Sequence, residues 1–247
     1  MSKYFIGAVL YTLMLPAQAT PALYESFMVK PKWKAFAYAG SSSPSIPSVA
    51  AVNGEMRVTI PYDIMGETFA AGYTSTCLFT GDFDVAIDYK LLSFPANNGV
   101  RVGLVANNTV KRQVLLSSAG VAWGTGAQIM RMSGAANEGS MAGELYATDI
   151  NHDCCHPIPT AARTGKLRLI RSQGIVTGYY FDAYQNFWVE INNGGTPVSF
   201  GDTPIELAAW SHDSFFSDKN IQIAFDNFFI SKGTLTGPEC PTPQTRY

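Results

Sequence analysis

From residue 53 onward, apolar and polar residues alternate with a period of two over many short runs, a pattern that predicts half-buried β-strands. Met56, Val58 and Ile60 alternate with Glu55, Arg57 and Thr59, and the run stops at Pro61. Phe83, Val85, Ile87, Tyr89 and Leu91 alternate with Asp82, Asp84, Asp88 and Lys90 in the strongest strand signal of the chain. A Pro95–Gly99 turn leads into Val100, Val102 and Leu104, and shorter β-like runs follow at Val114–Leu116 and Ile129–Met132. Leu167 and Leu169 share a face opposite Arg168. Residues 175–182 and 187–191 read as a hairpin turning at Asp182–Asn186, with Phe187, Val189 and Ile191 toward the core. That parity turns Trp188 and Glu190 outward, and the same reasoning turns Tyr180 and Asp182 away from Tyr179 and Phe181 to join them. Ile205, Leu207 and Ala209 alternate with Glu206 and Trp210, and a last strand spans about Asn220 to Ser231.

Two stretches lack this alternation. Residues 20–47 are mixed and end in a Ser/Pro-rich segment, and Ser133–Ala162 is rich in small residues, which predicts a long loop. A loop of that length needs a staple in a compact domain. No run has the period of an amphipathic helix. About a dozen strands separated by turns predict an all-β fold of two packed antiparallel sheets, a jelly-roll sandwich.

The N-terminus changes the compartment. Lys3 precedes an uncharged apolar run, Tyr4–Leu15, followed by Pro16 and Ala17-Gln18-Ala19. This is the order of a cleaved secretory signal, and the run is too short to span a bilayer. The expected organisation is a signal peptide at 1–19, one β-sandwich domain at 20–235 and a C-terminal tail at 236–247, with the product secreted or periplasmic. The four cysteines, Cys77, Cys154, Cys155 and Cys240, fit an oxidised framework in such a chain. A bond between the neighbours Cys154 and Cys155 closes a strained ring. The two remaining pairings, each joining Cys77 and Cys240 to the central pair, stay open.

Composition narrows the partners. With 17 basic and 19 acidic side chains the net charge is −2, which leaves no electrostatic footprint for nucleic acid or an anionic membrane. No later stretch is long and apolar enough for a transmembrane helix.

Several motifs in order carry a resemblance: Lys166-Leu-Arg-Leu-Ile-Arg171, Gly178-Tyr-Tyr-Phe-Asp182, Phe187-Trp188, and Ile223-Ala-Phe-Asp-Asn-Phe228 with Gly233. Asn53-Gly54, Gly81-Asp82-Phe83-Asp84 and Asn98-Gly99-Val100-Arg101 fit the same layout in the first half. Together, from Trp33 to Gly233, the chain resembles secreted bacterial-type members of the concanavalin A-like lectin/glucanase superfamily, which includes laminin G-like jelly rolls. The resemblance implies that fold, and glycan binding or cleavage on the concave face of the larger sheet. Some members hold calcium at the rim of that sheet.

The candidate site is an outward face with Tyr180, Trp188 and Trp210 as aromatic platforms beside Glu190 and Glu206. Sugars stack their apolar faces on such rings and offer hydroxyls to carboxylates. The expected function is therefore non-catalytic carbohydrate binding, with a polysaccharide or glycan as partner. Hydrolase or lyase activity is the first alternative, with Glu190 and Glu206 as its carboxyl pair. Asp82, Asp84 and Asp88 share a face, but Ala86 interrupts them where laminarinase-like enzymes carry further acids. A structural or protein-binding domain is the second alternative. The cluster His152-Asp153-Cys154-Cys155-His156 departs from zinc-finger spacing and reads as disulfide cysteines. His212 lacks the context of a catalytic triad. No cofactor is expected, although Asp226-Asn227 and Asp182 offer oxygen donors suited to calcium.

Overall fold

The structure, a computed structural model, describes residues 23–25, 33–64, 68–106, 127–133, 144–150, 157–191, 194–211, 218–238 and 240. The leader-like segment, Cys154, Cys155, the three histidines and the tail beyond Cys240 lie outside the described residues, as does the run at 114–116.

Two antiparallel sheets form. The first has nine strands: β1 (Leu23–Glu25), β3 (Ser48–Val52), β4 (Glu55–Ile60), β6 (Leu78–Ser93), β11 (Thr164–Ser172), β12 (Ile175–Asp182), β13 (Phe187–Glu190), β14 (Thr196–Pro197) and β16 (Ile221–Thr236). Their order is β13-β12-β11-β6-β16-β4-β3, with β1 added to β16 and β14 to β12. The second has seven: β2 (Trp33–Ala39), β5 (Phe69–Ser75), β7 (Arg101–Ala106), β8 (Ala127–Ser133), β9 (Glu144–Ile150), β10 (Ile158–Thr160) and β15 (Ile205–Ser211). Their order is β10-β9-β8-β7-β15-β5-β2. A single 3-10 turn at Tyr62–Ile64 is the one helical element among the described residues.

The alternation read from the sequence is what packs the sheets together. Met56, Val58 and Ile60 of β4, the five apolar residues of β6 from Phe83 to Leu91, and Ile221, Ile223 and Phe225 of β16 are buried from the first sheet. They meet Val102, Leu104, Ile129, Ile205 and Leu207 from the second. Each such side chain contributes about 1.5–3 kcal/mol when fully buried. Two hairpins are fixed by two-residue loops whose residues all have positive φ: Asn53-Gly54 between β3 and β4, and Gln173-Gly174 between β11 and β12. Left-handed pairs of this kind match the twist of the flanking strands.

The seven-stranded sheet is buried on both faces at its centre. Its outer face carries a second apolar cluster of Ala70, Val105, Met130, Met132, Leu145, Ala147, Ala208 and Trp210. Consequently β7 and β15 are buried at every position. This double burial explains the strands that alternation does not reveal. β5 reads FAAGYTS, with Phe69, Ala71 and Tyr73 in one cluster and Ala70 in the other. β9 and β10 fall within the stretch 133–162 expected as loop, because β9 buries Leu145 and Ala147 on one side and Tyr146 on the other. β2 lies in the stretch that reads as mixed, and β16 runs on to Thr236 through register shifts past Asp226 and Ile230.

The disulfide pairing corrects the sequence expectation. Cys77 bonds to Cys240, with Cα atoms 5.4 Å apart across 163 residues of sequence, rather than to the central pair. The reason is register: Leu78 of β6 lies opposite Thr236 of β16, so the residues just outside these two strand ends are already neighbours. Among the described residues no helix is long and apolar enough to cross a membrane.

Candidate functional site

The β12–β13 hairpin sets the outer face of the nine-stranded sheet. Asp182 Oδ1 accepts hydrogen bonds from the backbone N–H groups of Tyr184 (2.9 Å) and Gln185 (3.0 Å), and Oδ2 accepts one from Gln185 Nε2 (3.1 Å). That turn pairs Phe181 with Trp188 and Tyr179 with Glu190. Tyr179, Phe181, Trp188 and Glu190 therefore share the outward face. Trp188 meets Phe181 edge-on with ring centroids 5.3 Å apart, and the Arg168 guanidinium stands 5.4 Å from the Trp188 ring centre.

Next to these rings runs a strip of ion pairs along β6. Arg168 donates from Nε and Nη2 to Asp84, at 2.7 and 2.5 Å. Lys166 Nζ donates to Asp88 Oδ1 at 2.6 Å, while Asn227 Nδ2 donates to Asp88 Oδ2 at 2.9 Å. Lys90 and Arg57 both pair with Glu55, and Lys232 with Asp82. The carboxylate beside it raises the already high pKa of Arg168, and the Lys90 ammonium holds Glu55 below its usual range.

Two hollows adjoin at the Asp88–Lys166 pair. A shallow one of about 370 Å³ is lined by Ala86, Asp88, Lys166, Phe181, Trp188, Asn227 and Phe229. A deeper cleft of about 490 Å³ shares Asp88, Lys166 and Phe181 with it and continues between Pro159–Ala162, Tyr146, Tyr180 and Ala183. The deeper cleft exists because two strands part. Pairing of β11 with β12 ends at Leu167 and Tyr180. Beyond that point Thr164–Lys166 pair only with β6, and Phe181–Asp182 only with β13. The gap between them is a fork that leads from the outer face toward the interior of the sandwich.

Tyrosines line the inner end of this fork. Tyr180 stacks on Tyr146 with centroids 4.4 Å apart, and the Tyr146 and Tyr89 hydroxyls hydrogen bond at 2.5 Å. Arg131, wholly buried, stands over the Tyr146 ring, pairs with Glu144, and donates to the carbonyls of Met132 and Ala162. A side chain at Gly165 would sit 2.7 Å from the Tyr89 hydroxyl and 2.9 Å from that of Tyr146. Burial pushes the Tyr89 and Tyr180 hydroxyls above the ordinary phenol range, so both stay neutral.

The structure divides the residues grouped from sequence. Trp188 and Glu190 lie together on the outer face of the nine-stranded sheet. Tyr180 does not join them: it points inward, because the register that pairs Phe181 with Trp188 turns Tyr180 to the other side. Trp210 and Glu206 are on the other sheet altogether and are buried, at 0% and 1% exposure. Glu190 and Glu206 thus stand on opposite sheets and form no carboxyl pair across a bond. The residues that the sequence reading did not single out for a site are Phe181, Lys166, Phe229, Tyr146 and Tyr89. The four-residue link 183–186 was the available signal, since it fixes which of Tyr180 and Phe181 shares a face with Trp188.

Calcium takes six to eight oxygen ligands. Asp182 is engaged by its own turn, Asp226 Oδ1 accepts the Asn227 N–H, and Asp88 is held by Lys166 and Asn227. Among the described residues no three acidic, cysteine or histidine side chains gather into a metal site.

No family model and no curated protein matches the sequence. Solved structures do match the fold. A seed lectin of Lotus tetragonolobus superposes with a TM-score of 0.56 at 10% identity, over 88% of this chain and 100% of the lectin. A prokaryotic β-1,3-1,4-glucanase (lichenase) derived from a mouse hindgut metagenome gives 0.55 at 11% identity, over 85% and 98%. The lectin UEA-II, complexed with galactose, gives 0.55 at 9% identity, over 86% and 98%. The fold of this chain is the concanavalin A-like jelly roll.

Proposed function

We propose that this is a carbohydrate-binding protein without hydrolytic activity, exported to an oxidising compartment, whose ligand lies in the joined hollows around Phe181. The carrying observation is their continuity: Asp88, Lys166 and Phe181 line both, so one groove offers aromatic faces and fixed polar groups in alternation. Sugar rings need this combination, a flat apolar surface for their C–H face and hydrogen-bonding groups for their hydroxyls. Phe181, Trp188 and Phe229 supply the first, and Asp88, Asn227 and Lys166 the second. The fold shared with lectins and a glucanase supports the carbohydrate part of the reading, and the Cys77–Cys240 bond the oxidising compartment.

Binding without catalysis follows from how the acids are used. Both oxygens of Asp88 are tied to Lys166 and Asn227, and those of Asp182 to the hairpin turn. A glycosidase needs one carboxyl to give up a proton and another to face the sugar across from it. Pull-down on a panel of insoluble and immobilised polysaccharides should retain the protein without releasing sugar. Trp188→Ala should weaken retention about tenfold or more. Failure of the unaltered protein to bind any glycan would overturn the proposal.

A further inference from the structure

Every cation along the groove already has a carboxylate. Lys166 is paired with Asp88, Lys90 with Glu55, and Arg168 with Asp84 through two hydrogen bonds. Among the acids, Asp88 also accepts from Asn227, while Glu190 and Asp182 accept neutral N–H groups of their own loop and turn. A uronate or sulfate entering here would have to displace an internal carboxylate from its partner, leaving that carboxylate uncompensated. Hydroxyls can bond to the outer lone pairs and N–H groups of intact ion pairs without breaking them.

The hairpin tip extends the track. Tyr184, 97% exposed, lies on the turn that Asp182 rigidifies and directly follows Ala183, which lines the deep cleft. The turn fixes the backbone beneath the Tyr184 ring, so binding there would order only that side chain's rotamers.

We infer that the groove selects a polysaccharide free of anionic groups and holds a multi-unit stretch of it, from Trp188 past Phe181 to Tyr184. This rests on the carbohydrate-binding reading above and adds the ligand's charge class and extent. The test is titration of the full chain with laminarin and galactomannan as neutral polymers, with their short oligosaccharides, and with polygalacturonate and heparin as anionic ones, at low and high salt. A neutral polymer should bind with little salt dependence, and more tightly than its short oligosaccharides. Tyr184→Ala, a change at an exposed tip, should cost about tenfold in polymer affinity and leave the shortest oligosaccharides unaffected. Preferential, salt-sensitive binding of polygalacturonate or heparin would overturn the inference and leave carbohydrate binding standing. Unchanged polymer affinity in Tyr184→Ala would overturn the extended track. No binding to any probe would remove both readings.

Discussion

Trp188 and Trp210 occupy equivalent places in the sequence pattern, each alternating with apolar residues, yet they do different work. Trp188 is half-buried on an outer face beside Phe181 and Arg168. Trp210 is wholly enclosed with Met130 and Met132 on the second sheet. Trp210→Ala should therefore destabilise the fold by about 3–5 kcal/mol, as large core truncations do, while Trp188→Ala costs a smaller amount. Denaturant unfolding of the two variants checks this, and equal losses would contradict the assignment. Alternation could place both rings away from the core between the sheets, but not what lies beyond that face. For Tyr180 it pointed the wrong way. Residues 175–182 carry rings and polar groups on both sides, so only the hairpin register separates Tyr180 from Phe181.

Strands with one wet face were legible, and strands with two dry faces were not. β4, β6 and β16 expose acids, bases and amides on one side, so their period of two is plain. β5 and β9 bury small and large residues on both sides and lose the contrast on which such a reading depends. The wet face of β4 and β6 also carries a pH dependence. The hydrogen bond from Lys90 holds Glu55 below its ordinary value of 4.5, against an opposing effect of burial and with a smaller contribution from Arg57. A carboxyl with a depressed folded-state pKa adds stability above its unfolded value, and that stability disappears as pH falls through the folded value. The denaturation midpoint should therefore drop on acidification below about pH 4.5. Glu55→Gln should show a shallower drop over that window; identical pH profiles would count against the pair's contribution.

At the scale of the molecule, the two-sheet architecture was readable because each predicted strand needs a partner surface and no helix was available to supply one. The disulfide was not, because its pairing depends on β6 and β16 lying side by side, a relation spanning 163 residues. Closing so long a loop restricts the unfolded chain strongly. Replacing Cys77 and Cys240 together by serine should lower stability by about 2–5 kcal/mol, measured by denaturant titration against the oxidised parent. A reductant should lower the parent's midpoint and leave the double variant's unchanged.

The same neighbour relation has a consequence in time. β16, the last described strand to leave the ribosome, lies between β6 and β4 and also carries β1. The centre of the larger sheet is thus completed only after every other described strand has been made. Until residues 221–236 emerge, β4 and β6 have a vacant lane between them and nothing to close it. Such a layout makes cooperative folding of the larger sheet wait for residues 221–236 and makes it slow, since its contacts are long-range. Until then the first-made strands of the larger sheet lack a complete partner surface, and their open edges are what a nascent chain would expose.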